Sequence, residues 1–160
     1  MTALSLAIDT PDLAQHYETV SADRQFRHGL ELLEQLGLSQ GQRVLDVGCG
    51  TGLLAEYAAS VVAPSGAVVG IDPLPLRIEI ARQKATAQLS FEVGDANRLD
   101  RFPAATFDVA YLNAVFHWLP EKRSAAERDI LAEFERLREP QGVPQQGTRI
   151  VAIARKPASH

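Results

Sequence analysis

The sequence has only one cysteine among its 160 residues, and 6% of its residues are aromatic. Cys49 cannot form an intramolecular disulfide, and it belongs to no cluster of cysteines that could hold structural zinc. A disulfide-stapled domain and a zinc-stabilised domain are therefore excluded, and we expect the chain to bind no metal.

Clusters of lysine and arginine and long apolar runs are also missing. The formal net charge is −4, so the chain has no basic surface that would attract a phosphate backbone, and we expect no nucleic-acid partner. The longest apolar stretches, such as residues 67–71, have the length of strands, and the first twelve residues contain no basic leader. We expect a cytoplasmic protein without a membrane partner.

The overall composition is that of a globular domain, with 46% hydrophobic and 22% charged residues. A chain of this length buries roughly two-thirds of its unfolded surface, which suffices for one sheet with helical cover but not for a second full domain. We expect one compact domain, in which residues 1–40 form an N-terminal helical cap and residues 41–160 form the ligand-binding part.

Short apolar segments alternate with amphipathic segments along the chain, which predicts an α/β fold with a parallel sheet, right-handed crossovers and helices on both faces. The predicted strands are RVLDV (43–47), AVVGI (67–71), LSFEV (89–93), FDVAYL (107–112) and TRIVAIA (148–154).

The predicted helices lie between these strands and before the first one. A stripe of Phe26, Leu30 and Leu33 is closed by Gly37 and indicates an amphipathic helix. Pro75 opens another helix, in which Leu76 and Ile80 would share the apolar face. Further helices are predicted over residues 11–19, 52–62 and 124–139.

Three glycines, Gly48, Gly50 and Gly52, follow the first predicted strand in the sequence VLDVGCGTG. Residues without a Cβ atom adopt positive φ readily and let a ligand approach the backbone closely. The spacing is GxGxG, whereas dinucleotide-binding proteins usually carry GxGxxG. Because a tight turn from strand to helix can need glycine for steric reasons alone, this loop indicates a ligand only weakly by itself.

Two aspartates follow the next two strands. Asp72 ends the second strand, twenty residues after Gly52, where its carboxylate would accept hydrogen bonds from both ribose hydroxyls of a nucleoside. Asp95 follows the third strand, where its carboxylate could accept from the adenine amine while the Ala96 amide contacts a ring nitrogen. Acids at strand ends also cap helices and turns, so it is their joint placement that predicts a nucleoside site.

The segments VLDVGCGTG, GIDP, VGDANRL and FDVAYLNAVFHWL resemble consecutive motifs of the class I, Rossmann-like, S-adenosylmethionine-dependent methyltransferases. The resemblance is to the small-molecule group that includes quinone-biosynthesis enzymes, and it runs from about Tyr17 to Leu119. It implies methyl transfer from S-adenosylmethionine to a small organic acceptor, with residues 41–160 as the cofactor-binding domain. The cofactor-binding residues that it implies are Tyr17, Asp46, Gly48, Cys49, Gly50, Gly52, Asp72, Pro73, Asp95, Ala96, Asn113 and Ala114.

Particular roles follow from the resemblance and from the residues. Asp46 lies within the first strand, where a buried carboxylate needs hydrogen bonds, so we expect it to hold the loop amides and to orient the amino-acid end of the ligand. Cys49 is expected to be a small structural side chain. His117 is a candidate base or acceptor-orienting group, although a histidine that only packs the rim explains its position equally well.

The last third of the chain departs from the family pattern, because residues 119–123 run directly into segments that resemble the final helix and final strand of a complete enzyme. We infer a deletion near Arg123–Ser124, which leaves about five strands of the seven-stranded methyltransferase sheet. We expect the last strand to lie parallel to the fourth, in the order 3-2-1-4-5, with an antiparallel strand as the alternative.

A deletion at this point would remove much of the acceptor pocket, so cofactor binding should survive better than catalysis. The alternative function is therefore a catalytically weak or inactive S-adenosylmethionine-binding module, either a truncated isoform or a partner subunit. A homodimer could form through an exposed sheet edge. A nicotinamide-dependent oxidoreductase is disfavoured by the GxGxG spacing and by Asp95.

Overall fold

A computed structural model describes residues 10–12, 22–103, 106–113 and 149–152. Within these ranges the helices are α1 (Ala22–Leu36), α2 (Leu53–Val62) and α3 (Pro75–Arg82), with a 3-10 helix over Leu99–Arg101. The strands are β1 (Arg43–Val47), β2 (Ala67–Asp72), β3 (Leu89–Val93), β4 (Val109–Leu112) and β5 (Arg149–Ala152). The helix predicted over 124–139 and the inferred deletion near Arg123–Ser124 lie outside the described residues.

The five strands form one sheet in the order β3-β2-β1-β4-β5, and every neighbouring pair is parallel. The predicted α/β class, the strand order and the parallel last strand are thereby confirmed, and the antiparallel alternative for the last strand is wrong. In a parallel sheet the carboxyl ends of all strands lie at one edge, which is where ligand sites of this architecture form.

One face of the sheet is covered by the three α-helices. Leu32, Leu33 and Leu36 of α1 pack with the buried alanines of α2 and with Val44, Val68 and Val109 of the sheet. The helices α1 and α2 approach closely at Gly29, where a Cβ atom would lie 2.5 Å from Leu54 Cδ2. This contact holds the first turns of α1 beside the carboxyl edge of the sheet.

The buried face of α3 differs from the predicted one. Ile78 and Ala81 are buried, whereas Leu76 and Ile80 are only half-buried, so the prediction of a Leu76–Ile80 core face is wrong. The apolar residues of this short helix could form more than one buried face. In the structure the buried face is the one that contains Ala81. Ala81 packs against the glycine-rich turn, which is residues 48–52: a Cβ atom at Gly52 would lie 3.2 Å from Ala81 Cβ.

The opposite face of the sheet packs on a second cluster, which includes Leu45, Val47, Ile71 and Leu112. Within the described residues this cluster is covered by the 3-10 helix through Leu99 and by the edge-to-face pair of Phe102 and Phe107, whose ring centroids are 5.2 Å apart. No described helix has the length and apolar character needed to cross a membrane.

Gly37 and Gly52 both have positive φ, but only Gly52 is closely packed by other residues. Gly37 ends α1 with φ +59° and has no atom within 4 Å of an added Cβ, whereas Gly52 has φ +86° and its Cβ would lie 2.6 Å from Phe91 Cζ. We expect Gly37→Ala to lower the free energy of unfolding by about 1 kcal/mol through backbone strain alone. Gly52→Ala should cost roughly 1–3 kcal/mol more, because the new methyl group overpacks the core.

Urea denaturation of the two variants and the unchanged chain measures this difference. If both variants lose the same free energy of unfolding, Phe91 and its neighbours move aside for the added methyl group at no cost, and the prediction is wrong.

Candidate functional site

The glycine-rich turn, residues 48–52, lies at the carboxyl ends of β1 and β2. Its glycines have φ values of +75° at Gly48, +56° at Gly50 and +86° at Gly52. The amides of Gly48 and Cys49 donate to the Ile71 carbonyl at 2.7 and 2.9 Å, which ties the turn to β2. The positive φ expected for these glycines is observed, and the turn leads directly into the first residues of α2.

Asp72 holds this turn from the end of β2. Its Oδ2 atom accepts a hydrogen bond from the Gly50 amide at 3.0 Å, and its Oδ1 atom accepts one from the Leu74 amide at 3.0 Å. The side chain is buried, and hydrogen bonds of this kind stabilise a buried carboxylate in its charged form. The loop-holding role that the sequence predicted for Asp46 is therefore performed by Asp72, and that part of the prediction for Asp46 was wrong.

Asp46 lies in the interior instead, beside Tyr111. The two residues are register neighbours on β1 and β4, so their side chains lie on the same face of the sheet, and they are 1% and 0% exposed. Within the described part of the chain, neither Asp46 Oδ2 nor the Tyr111 hydroxyl has a hydrogen-bond partner. The hydroxyl is nevertheless close enough to the carboxyl group to affect its acidity.

This environment changes the acidity of both groups. Burial raises the pKa of Asp46 to about 7; the Tyr111 hydroxyl opposes the rise, and the negative charge of Asp72 adds to it. Burial likewise raises the pKa of Tyr111 well above its ordinary value, and the charge of Asp46 acts in the same direction. At neutral pH the site thus contains a neutral phenol next to a carboxyl group that readily gains or loses a proton.

A cavity of about 400 Å³, counted with its solvent-filled mouth, opens beside Asp46. Four residues predicted for the cofactor site line it, namely Asp46, Gly48, Cys49 and Asn113. The structure therefore brings the first strand, the glycine-rich turn and the end of β4 together around one hollow.

The cavity wall also contains residues that the sequence analysis did not single out for the site. Gln25 and Phe26 reach it from α1, and Thr51 lies in the glycine-rich turn. Asn113 connects the two sides, since its Nδ2 atom donates to the Gln25 carbonyl at 2.9 Å. The position of Thr51 within GCGTG was a usable signal, whereas nothing in the sequence marks Gln25.

Other predicted residues lie away from this cavity. Asp95 Oδ1 accepts hydrogen bonds from the amide and the side chain of Asn97 at 2.8 and 2.9 Å, which closes a local turn, and Ala96 is buried against the second core cluster. The Gly94 amide donates to the Asp72 carbonyl at 3.0 Å, so the turn begins beside the end of β2.

Pro73 is half-buried between Asp72 and Leu74. Tyr17, Ala114 and His117 lie outside the described residues.

Cys49 is half-buried in the glycine-rich turn, beside Gly70 of β2. A Cβ atom at Gly70 would lie 3.0 Å from Cys49 Sγ, so the missing side chain at Gly70 makes room for the thiol. Burial raises the pKa of Cys49 well above its ordinary value, and the negative charges of Asp46 and Asp72 raise it further. The thiol form is favoured, which makes Cys49 a poor nucleophile.

Several known proteins with similar sequences and structures are methyltransferases. Over 131 residues the chain is 30% identical to a trans-aconitate 2-methyltransferase from Afipia carboxidovorans, which covers 82% of this chain and 46% of that protein. Over 139 residues it is 30% identical to a demethylmenaquinone methyltransferase from Symbiobacterium thermophilum, which covers 81% of this chain and 53% of that protein. The chain spans about half the length of these curated relatives.

A solved structure, that of a SAM-dependent methyltransferase from Aquifex aeolicus, superposes with a TM-score of 0.65 at 25% identity and covers 80% of this chain and 66% of that one. The family described as methyltransferase domain matches residues 44–142, which is more than half of the chain. These similarities confirm the family resemblance seen in the motifs, and they imply S-adenosylmethionine as the cofactor. With its parallel sheet, its glycine-rich turn and this match, the chain belongs to the methyltransferase domain family.

Proposed function

We propose that this protein binds S-adenosylmethionine in the hollow above Asp46 and transfers its methyl group to a small organic acceptor. The observation that carries the proposal is Asp46, which lines the cavity and whose buried Oδ2 atom has no hydrogen-bond partner among the described residues. A buried acceptor without a donor is costly, and the ammonium group of the cofactor's amino-acid portion would supply both a donor and a positive charge. The residues present therefore fit the cofactor.

The remaining contacts are assigned by the chemistry of the donors around the hollow. Gly52 precedes α2 without a side-chain cap, so the first amides of this helix favour a carboxylate such as the one on the amino-acid portion. The main chain at Gly48 and Gly50 would hold the methionine portion. Asp72 and Asp95, each at the end of its strand, would receive the ribose and the adenine.

S-adenosylmethionine supplies a methyl group already activated by the positive sulfur, so the protein needs few catalytic side chains. The chain's own contribution is alignment and the exclusion of water. Phe26 and Leu54 form an apolar wall of the cavity, which suits this task. His117 is proposed as the base or the acceptor-orienting group.

The acceptor belongs to the class of small organic molecules. The two relatives described above are named for different acceptors, trans-aconitate and demethylmenaquinone, yet both match most of this chain. We therefore assign the matched segment to binding of the methyl donor, which the transfers to the two acceptors have in common. Cytoplasmic location, dimerisation through a sheet edge and the absence of a nucleic-acid partner stay predictions from the sequence.

The proposal is tested by calorimetry with S-adenosylhomocysteine, followed by a transfer assay with methyl-labelled S-adenosylmethionine and a panel of small acids and quinols. We expect binding in the micromolar range and competition by S-adenosylmethionine but not by NAD. Binding without transfer to any acceptor would favour the catalytically weak module, and the absence of binding would contradict the proposed function altogether.

The variant Asp46→Asn should separate binding from stability. Because the pKa of Asp46 in the folded chain is about 7 against an ordinary value of 3.8, folding favours the neutral carboxyl group. Asp46 therefore contributes most stability below about pH 4, and this contribution is lost as the pH rises to about 7. Asparagine does not titrate, so its advantage over aspartate should grow through this window and then level off.

At pH 8 and without ligand, we expect Asp46→Asn to unfold at higher urea than the unchanged chain, by up to a few kcal/mol, since one pKa unit corresponds to about 1.4 kcal/mol. The same variant should bind S-adenosylhomocysteine at least about tenfold more weakly, because a charge-assisted hydrogen bond is lost. Asp100→Asn is the matched control, since Asp100 is exposed and lies away from the cavity. A variant that is less stable than the unchanged chain at pH 8, or that binds equally well, would refute the assignment of Asp46.

A further inference from the structure

We infer that Tyr111 is a positioning residue, whose buried hydroxyl keeps Asp46 ready to receive a cationic group from the cavity. The inference rests on the proposed function, because the cationic group is the ammonium of S-adenosylmethionine. It adds a residue that contacts no part of the ligand and acts only through Asp46.

The geometry of the sheet places the two groups together. Asp46 and Tyr111 are directly paired across β1 and β4, and on the other side of Asp46 its register partner is Gly70, which has no side chain. Tyr111 is thus the only cross-strand neighbour of Asp46, in these two pairings, that can offer a hydroxyl group. The phenol ring itself belongs to the main core cluster.

Folding alone does not account for the Tyr111 hydroxyl. It is fully buried, and within the described residues it has no hydrogen-bond partner, which costs roughly 1–3 kcal/mol for a polar group of this kind. A phenylalanine would fill the core with the same ring and avoid this cost. The hydroxyl therefore has a use that appears when Asp46 becomes charged and can accept from it.

Electrostatics around Asp46 supports the same role. Burial and the charge of Asp72 both raise the pKa of Asp46, and among the causes that act on it only the Tyr111 hydroxyl favours the charged form. The thiol of Cys49 faces the pair from the glycine-rich turn and is itself held neutral. Arg77 of α3 acts on Cys49.

The charged side chains of α1 and α2 whose burial is described point to solvent. They are Arg27, His28, Glu31, Glu34 and Glu56. Within the described residues, titration of the cavity floor near neutral pH therefore belongs to Asp46, and removal of the Tyr111 hydroxyl must shift that titration upward.

The test is the dissociation constant of S-adenosylhomocysteine for the unchanged chain and for Tyr111→Phe, measured by calorimetry between pH 5.5 and 8.5. Because both dissociation constants are measured with the same ligand, the titration of the ligand's own amine cancels in their ratio. We expect the variant to bind several-fold more weakly at pH 6, about tenfold for each unit by which the pKa of Asp46 rises. The ratio should fall towards one at pH 8.5, where Asp46 is charged in both proteins.

A ratio that stays constant with pH, or that equals one throughout, would overturn the inference, because a purely structural tyrosine gives no pH-dependent ratio. The matched control is Tyr57→Phe, which removes the hydroxyl of a 40% exposed tyrosine on α2 and should leave the constants unchanged at every pH.

A second ligand separates this inference from the proposed function. 5′-Methylthioadenosine has the nucleoside and the sulfur but no amino-acid portion, so Tyr111→Phe should not alter its binding at any pH. An equal effect of the variant on both ligands would overturn the inference while leaving the proposed function intact. If neither ligand binds the unchanged chain, the proposed function fails, and the inference fails with it.

Discussion

The fold buries the carboxyl group of Asp46, and the site depends on how that group is satisfied. Asp46 lies in the interior of β1, one strand away from the Tyr111 hydroxyl and near the negative charge of Asp72. A charged carboxylate in such surroundings is unfavourable unless a donor or a cation approaches it. The Tyr111 hydroxyl stabilises the charged carboxylate only in part. The cavity beside Asp46 leaves room for a ligand that supplies a further donor.

Asp72 performs the complementary task. Its two oxygens accept main-chain hydrogen bonds from Gly50 and Leu74, so it connects the glycine-rich turn to the start of α3. The two acids are thus used differently, because one is satisfied within the fold and the other is not. A nucleoside bound at the end of β2 would meet a turn whose shape is already set before the ligand arrives.

Much of this architecture could be predicted from local sequence. The bounds of β1 and β3 agree with the predicted segments, and the glycine-rich turn was identified as such, because a buried parallel strand followed by glycines has a strong local signature. The parallel last strand followed from topology, since the predicted helix before it provides a long enough crossover. These features depend on neighbours along the chain.

The parts that could not be predicted depend on neighbours across the sheet. Whether Asp46 or Asp72 holds the glycine-rich turn is decided by which carboxylate reaches the Gly50 amide, and the importance of Tyr111 appears only once the register of β1 and β4 is known. Gln25 enters the cavity wall because α1 packs beside Asn113, a contact between residues far apart in sequence. The buried face of α3 was likewise chosen by packing against Gly52 rather than by the helical pattern.

The most direct test of this account is a crystal structure of the chain with S-adenosylhomocysteine. The account predicts that the ligand's amino nitrogen lies within about 3 Å of the Asp46 carboxylate, with the nucleoside towards the ends of β2 and β3. A ligand bound with its amino group directed to solvent, and with Asp46 Oδ2 still unpaired, would contradict it.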